Sequence, residues 1–402
     1  MKNNYSLTVK ACSVGYIVQS VANNLLPLLF VHLTTNYLIP LYLISILLAY
    51  NFGLQILVDS LSSNVVLKLG YRKTALLASF LVGVGFIFLS LVPFLFKGYI
   101  LVYIGLLISV TFMAIGSGIS ELIFSSLLEA LPIENKQQKM SLIHSFYCVG
   151  HLIVVVVATL FFVFIGIDKW YYLPIMMLVF PILNFALFIK CPVLNPIGDN
   201  APISKLKIIK NKDFLLIFVL MVCAGASEQA VAQWISYFAE SSLKINKAFG
   251  DVVGVGAFAT TMLISRTYFA CTKKRYNLLK TVFCFAVALA VCLTLSVLLN
   301  EKIVSLILLA ICGLFVGVMW PAIYSVGGKL FTMGGTAMFS LLALGGDLGC
   351  TLGPTVVGGI GELFSIKAGI LLSSLYPIIM IIVISVIFKK QKNGKYNTSF
   401  KE

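Results

Sequence analysis

Long apolar stretches recur along the whole chain and are separated by short polar segments. A helix needs about 20 mostly apolar residues to cross the hydrocarbon core of a bilayer. The pattern predicts an all-α membrane protein with twelve transmembrane helices arranged as two pseudo-symmetric six-helix bundles. The predicted helices lie near 11–33, 38–62, 74–96, 99–129, 140–166, 170–190, 213–239, 248–271, 277–298, 303–327, 335–361 and 367–388.

Composition supports this interpretation and excludes other classes of protein. Of the 402 residues, 60% are hydrophobic and 11% are charged, and the mean hydropathy is +1.04. Soluble domains carry about 25% charged residues, so these charges are too few to coat a water-soluble enzyme. The connections are too short for a soluble catalytic site, and no phosphate-binding glycine loop or nucleophile motif is present. We therefore expect no enzyme activity and no cofactor.

The basic residues are distributed unevenly between the two sides of the predicted bundle. The net charge is +15, and 22 Lys and Arg residues fall in segments on the side of the two termini. Only six fall on the opposite side, namely Lys97, Lys169, Lys244, Lys247, Lys302 and Lys367. Positive charge accumulates in cytoplasmic loops, so we predict a multi-pass protein of the cell membrane with both termini in the cytoplasm. No basic groove with stacking aromatics indicates a nucleic-acid partner.

The longest polar segment divides the chain after the sixth predicted helix. It contains Pro192, Pro196 and Pro202, followed by four lysines. We predict bundles at 1–190 and 213–388, a cytoplasmic linker at 191–212 and a cytoplasmic tail at 389–402. Two six-helix repeats around a site at mid-membrane are typical of a transporter.

No metal site is predicted. The nine cysteines include no C-x-x-C pair, and most lie in apolar runs. His144 and His151 are seven residues apart on one helix, a rise of about 10.5 Å, which is too far to share one ion.

Glu121 and His144 are the candidate proton-coupling residues. Glu121 lies within the fourth predicted helix, with Ser117 and Ser125 one turn to either side. A charged group inside a bilayer costs about 3 kcal/mol or more, so each one is a functional candidate. His144 on the next helix could exchange a proton with Glu121, because imidazole titrates near neutral pH. The alternatives are a structural partner for Glu121 and a packing role for His144.

The candidate substrate-binding residues are amides, a carboxylate and an indole. Amides both donate and accept hydrogen bonds, which suits a hydroxyl-rich solute. The alternative is hydrogen bonding between helices. The set comprises Gln19, Asn23, Asn24, Glu228, Gln229, Gln233 and Trp320.

Three further charged residues are candidates for gating. Asp59 lies near the basic loop after the second helix, and Arg266 is expected to pair with an acid such as Glu129. Asp347 lies in the eleventh helix among glycines that permit close helix approach. A packing role for Asp347 is the alternative.

The chain resembles the major facilitator superfamily. Asp59 and the segment Gly70-Tyr71-Arg72-Lys73 match loosely the signature of the loop after helix two in that superfamily. Three segments are similar to fucose-permease-like bacterial transporters: Met140 to Tyr147, Gly225 to Trp234, and Gly334 to Gly349. The resemblance implies the major facilitator fold and proton symport, with Glu121 similar to a helix-four glutamate. Those permeases also carry an acid in helix one. That acid is absent here, and Asn23 and Asn24 lie in the corresponding region.

Together these observations predict a secondary active transporter that takes up a small polar solute, such as a sugar, with protons by alternating access. Its expected partners are the solute, protons and the lipid bilayer, and it is expected to be a monomer. The alternative is an efflux antiporter for amphipathic compounds. Drug antiporters of the superfamily carry a Gly-Pro and Gly-Gly motif in helix five, whereas Gly353-Pro354 to Gly358-Gly359 lies in the eleventh helix.

Overall fold

The structure is a computed structural model that describes residues 5–132, 136–194, 205–272, 277–299, 301–331 and 335–394. Within helices, the side chains of 59–64, 67, 129–130, 136–138, 141, 205–206 and 335–337 lie outside the description. The described residues contain twelve helical segments long and apolar enough to cross a membrane, which confirms the predicted number. They are α1 Ser6–Thr35, α2 Leu41–Val58, α3 Lys68–Leu95, α4 Tyr99–Leu128, α5 Leu142–Phe164, α6 Tyr172–Lys190, α7 Lys212–Ser241, α8 Lys247–Cys271, α9 Leu278–Leu298, α10 Lys302–Leu330, α11 Met338–Leu363 and α12 Ile366–Lys392.

Several helices extend beyond these spans, and a short extra helix lies in the predicted linker. Helical backbone continues past α4 to Ala130. It begins at Lys136 before α5 and at Gly335 before α11. The extra helix covers Lys205–Ile209. The predicted boundaries therefore differ from those of the structure by only a few residues in most helices.

The connection between α2 and α3 is shorter than predicted. Helical backbone runs from Leu41 to Leu95 and is interrupted only at Gly70, where φ is 76° and ψ is 161°. Glycine has no Cβ and adopts positive φ without steric cost. Gly70, two residues after the start of the α3 span, is thus the one non-helical residue in the region where a loop was expected. The side chain of Asp59, a predicted gating residue, lies outside the described residues.

Both α1 and α7 are broken in the half of the helix nearer its C-terminal end. In α1, a 3₁₀ turn over Leu26–Leu29 contains Pro27, which cannot donate a backbone hydrogen bond. In α7, helix Lys212–Ala232 ends and helix Ile235–Ser241 begins after two turn residues. The break in α1 follows Asn23 and Asn24, and the break in α7 follows Glu228 and Gln229. Both helices are therefore interrupted next to their buried polar residues.

Close packing of α7 against α11 depends on glycines. A Cβ atom added to Gly349 would clash with the carbonyl oxygen of Val222 and the amide nitrogen of Ala226. A Cβ at Gly225 would clash in the same way with the carbonyl oxygen of Gly346. Small residues at membrane helix interfaces let backbones approach closely, and this contact holds α7 in position at the centre of the protein.

The substitution Gly349→Ala is expected to destabilise the protein by about 1–3 kcal/mol, the usual cost of overpacking. The clash is with backbone atoms, which cannot rotate away. SDS titration of the detergent-purified protein would measure the change in the free energy of unfolding. Gly359→Ala is the matched control on the same helix, because a Cβ there meets nothing within 4 Å. Equal stability of the two variants would contradict this account of the interface.

The starts of α1 and α7 and the ends of α6 and α12 lie on one face, which we call the terminal face, and the opposite face is called the far face. On the terminal face the Thr8 hydroxyl donates to the carbonyl oxygen of Pro192 over 2.6 Å, joining the start of α1 to the end of α6. Lys390 near the end of α12 forms an ion pair with Asp213 at the start of α7. Each set of six helices thus begins and ends on the terminal face, and we call α1–α6 the first half and α7–α12 the second half.

The two halves touch on the far face at three pairs of helices. Phe30 of α1 packs on Trp234 of α7, with ring centroids 5.4 Å apart. The backbone amide of Tyr42 in α2 donates to the Glu362 carboxylate of α11 over 3.2 Å. The Lys247 ammonium of α8 lies 5.5 Å from the Phe162 ring centroid of α5. The far face is therefore closed by contacts between the halves.

Candidate functional site

Asn23 is the centre of a buried amide network in the first half. Its side-chain oxygen accepts hydrogen bonds from Gln55 over 3.1 Å and from Asn51 over 3.4 Å, both on α2. All three side chains are at most 8% exposed. Asn51 and Gln55 are one helical turn apart, so they reach Asn23 from the same face of α2.

Gln233 joins this network to the second half. Its side-chain amide donates to Gln229 over 2.9 Å, to the Asn24 side-chain oxygen over 3.4 Å and to the Asn23 carbonyl oxygen over 3.5 Å. The Asn24 side-chain amide donates to the carbonyl oxygen of Ser20, which fixes the orientation of that amide. Gln233 is fully buried and lies at the break in α7. Four of the predicted binding residues therefore meet where the halves meet.

Glu228 and Arg266 form an ion pair inside the second half. The Arg266 Nη2 to Glu228 Oε2 distance is 2.6 Å, and both residues are less than 10% exposed. Arg266 Nε also donates to the carbonyl oxygen of Gly317 over 3.3 Å. The pair links α7, α8 and α10 at the protein centre. The structure thus pairs Arg266 with Glu228 of α7. The Glu129 side chain lies outside the described residues, so the expected pairing with Glu129 stays a prediction.

Glu121 faces the same centre from the first half. Its Oε2 accepts a hydrogen bond from the side-chain amide of Gln19 over 2.8 Å. Glu121 is half-buried, whereas Gln19 is only 3% exposed. Glu121 also interacts electrostatically with Glu228 across the boundary between the halves. The first predicted proton carrier therefore lies beside the central amides and acids.

His144 has a different partner from the one expected. The Tyr16 hydroxyl lies 3.4 Å from His144 Nε2 and 2.7 Å from the hydroxyl of Ser125, one turn beyond Glu121. The two rings are 4.7 Å apart between centroids. His144 is thus connected to α4 through Tyr16. Its role in proton coupling stays a prediction.

Trp320 and Asp347 lie on neighbouring helices of the second half. The half-buried Trp320 ring packs directly on Gly346, and a Cβ atom there would clash with the indole. Asp347 follows Gly346 in α11 and is 7% exposed. Among the described residues, the central region thus holds the acids Glu121, Glu228 and Asp347 and one guanidinium, that of Arg266. Such an excess of negative charge disfavours an anionic ligand.

Several buried oxygens at the centre have no hydrogen-bond partner among the described residues. On the first half they are Gln19 Oε1 and Ser117 Oγ, and on the second half Ser227 Oγ and Gln233 Oε1. A buried polar atom without a partner costs about 1–3 kcal/mol. The two amide oxygens can only accept, so they suit a ligand that donates hydrogen bonds, such as one bearing hydroxyl groups.

Comparison with known families agrees with this arrangement. A sequence profile of the Major Facilitator Superfamily matches residues 12–339. The chain belongs to the Major Facilitator Superfamily. Among curated proteins, none matches the sequence. The predicted family and fold are confirmed, and the protein is a multi-pass membrane transporter.

Solved transporter structures show the same superfamily fold at low identity. The E. coli fucose:proton symporter aligns with a TM-score of 0.66 at 16% identity, covering 96% of this chain and 99% of the symporter. A bacterial homologue of the human lysosomal transporter Spinster, inward-facing and occupied, aligns with a TM-score of 0.72 at 11% identity and covers 99% and 100%. A D-xylose-proton symporter aligns with a TM-score of 0.72 at 13% identity and covers 96% and 98%.

Sequence reasoning missed two tyrosines of the central polar region. Tyr147 accepts a hydrogen bond from Asn24 over 3.3 Å, and Tyr16 bridges Ser125 and His144. Aromatic residues are frequent throughout the chain, so neither tyrosine stood out. The spacing of Asn51 and Gln55 was a usable signal, because two amides one turn apart in an apolar helix need a common polar partner.

Proposed function

We propose that this transporter takes up a small, hydroxyl-rich polar solute together with protons by alternating access. The observation that carries the proposal is the buried polar layer shared by the halves, in which Gln233 bonds to Asn23 and Asn24. A solute bound there contacts both halves and can be exposed to either face as they rock. The fucose:proton and D-xylose-proton symporters, which share the fold, make a sugar the first solute to test.

The chemistry of the centre favours a sugar-like solute over an amphipathic one. The amides of α1 and α7, the acids and the unpartnered oxygens all require polar partners. An amphipathic export substrate would need a broad apolar lining. We therefore favour uptake over efflux, and transport over any enzymatic reaction.

The proposed orientation places the terminal face in the cytoplasm of a cell membrane. The 22 basic residues on the side of the termini against six on the other support it. The closed far face is then extracellular. We also propose a monomer, because one chain supplies both walls of the polar layer.

Glu121 is the proposed proton carrier. Neutralising it by protonation removes a charge that otherwise resists passage through a low-dielectric core. Within this scheme, Asp59, Arg266 and Asp347 remain the proposed gating residues and His144 a second proton-coupling residue.

The substitution Glu121→Gln is expected to abolish pH-driven solute accumulation and to preserve counterflow exchange. Glutamine keeps the size and hydrogen bonding of the side chain but cannot be ionised or release a proton. Proteoliposomes offered a panel of labelled sugars under an imposed pH gradient measure the first activity, and preloaded vesicles without a gradient measure the second. Exposed Glu301→Gln is the matched control. Unchanged accumulation by Glu121→Gln would refute the proton-carrier role.

A further inference from the structure

Gln19 holds Glu121 in a geometry that leaves one amide oxygen unused. The Gln19 amide nitrogen donates to Glu121 Oε2 over 2.8 Å, while Gln19 Oε1 is buried and has no partner in the part of the chain that the structure describes. The hydroxyl of Ser117, one turn before Glu121, is buried and unpartnered as well. Two unsatisfied oxygens thus lie close to the proposed proton carrier.

The unused oxygen matches what a protonated carboxyl group needs. An ionised carboxylate only accepts hydrogen bonds. Gln19 Oε1 and the second carboxylate oxygen of Glu121 are then both acceptors, so they cannot form a hydrogen bond with each other. A protonated carboxyl has one O–H donor. A primary amide and a carboxylic acid can therefore form two hydrogen bonds at once, N–H to C=O and O–H to C=O.

We propose that Gln19 is the positioning residue for the coupling proton, forming a closed acid–amide pair with Glu121 when Glu121 is protonated. This inference rests on the proposed proton-carrier role of Glu121. A proton from water on one face adds to the free carboxyl oxygen, and the resulting O–H donates to Gln19 Oε1. On the other face the proton returns to water, and no other bond is made or broken.

The pair explains why reorientation would require the proton. In the ionised form, closing the site buries both a charge and an unsatisfied amide oxygen. In the protonated form the charge is absent and both amide groups are bonded. Protonation therefore removes two obstacles to closing the polar layer around a bound solute: the buried charge and the unsatisfied amide oxygen.

Few other ionisable groups face Glu121 among the described residues. From the second half, Glu228 on α7 and the Cys350 thiol on α11 interact with it electrostatically. From the first half, α2 packs against α4 where Gly118 meets the backbone of Gln55, and α2 presents amides there. His144 on α5 contacts Tyr16. Gln19 is the group that the structure shows hydrogen-bonded to the carboxylate.

Two variants of the full-length protein test the pair. Gln19→Glu creates two carboxyl groups that share one proton, so the half-maximal pH of accumulation in proteoliposomes should move to higher pH by about one unit or more. Gln19→Leu removes both hydrogen bonds. The infrared carbonyl band of protonated Glu121, assigned by its loss in Glu121→Gln, should then move to the frequency of a free acid. Asn184→Leu, which removes a buried amide that joins α6 to Ser79 of α3, should change neither the pH profile nor the band.

The outcomes separate this inference from the proposed function. If Glu121→Gln removes the pH dependence while both Gln19 variants keep the wild-type pH profile and band, the acid–amide pair is overturned and Glu121 remains the carrier. If Glu121→Gln leaves the pH dependence intact, the proposed proton coupling fails and the pair falls with it. The expected shifts in both Gln19 variants would support the pair. The infrared band can be measured even in a variant that has lost transport.

Discussion

Replacing Arg266 by leucine is expected to lower the free energy of unfolding by about 3–5 kcal/mol, the usual cost of breaking a buried ion pair. The reason is the partner left behind. Glu228 is 6% exposed, and without the guanidinium its carboxylate would be buried with no compensating charge. SDS titration of the detergent-purified protein measures the change. Transport should be lost too, because the pair connects α7, α8 and α10 at the solute site.

Two controls isolate the ion pair from a general effect of removing an arginine. Arg72→Leu removes an exposed guanidinium that donates to the Cys191 carbonyl oxygen, and should cost about 1 kcal/mol. The double variant Glu228→Leu with Arg266→Leu should regain much of the lost stability, since a buried pair replaced by apolar residues is often neutral. A double variant no more stable than Arg266→Leu alone would contradict this explanation.

Replacing Lys247 by alanine is expected to cost about 3 kcal/mol and to weaken closure of the far face. The Lys247 ammonium lies 3.1 Å from an Asp251 carboxylate oxygen and 3.6 Å from one of Glu240. Asp251 is only 1% exposed, so it would lose its compensating charge in a buried position. The contact of Lys247 with the Phe162 ring of the other half would also disappear.

The Lys247 prediction has two readouts. Thermal unfolding of the purified protein reports the stability loss, and a thiol probe on a cysteine introduced at Tyr42, on the far face, reports opening between α2 and α11. Lys302→Ala, an exposed lysine at the start of α10, is the matched control and should affect neither. If Lys247→Ala matched this control in both measurements, Lys247 would have no part in holding the far face closed.

The membrane-spanning helices could be predicted from the sequence because their signal is local. A run of about 20 apolar residues is visible without knowing its neighbours. The predicted loop between α2 and α3 is absent because the backbone stays helical on both sides of one residue, Gly70. Sequence reasoning treats a basic segment as a loop, whereas positive φ at one glycine is enough to end one helix and begin the next.

The polar residues were recognised from the sequence, but their partners were not. Glu121, Asn23 and Gln233 stood out because polarity inside a membrane is costly. The partner of Arg266 depends on which helix packs beside α8, and no local pattern specifies that neighbour. The same holds for Gln19, whose partner Glu121 is 102 residues away in the chain. Solute specificity and coupling therefore depend on contacts that only the folded arrangement reveals.

The breaks in α1 and α7 have a consequence for how solute binding is sensed. Each break leaves a short helical segment on the side of the far face, Phe30–Thr35 in α1 and Ile235–Ser241 in α7. The turn in α1 begins directly after Asn24, and the turn in α7 begins at Gln233. A solute bound among these amides would lie against both turns, so its binding would act directly on the two helices whose contact helps to close the far face.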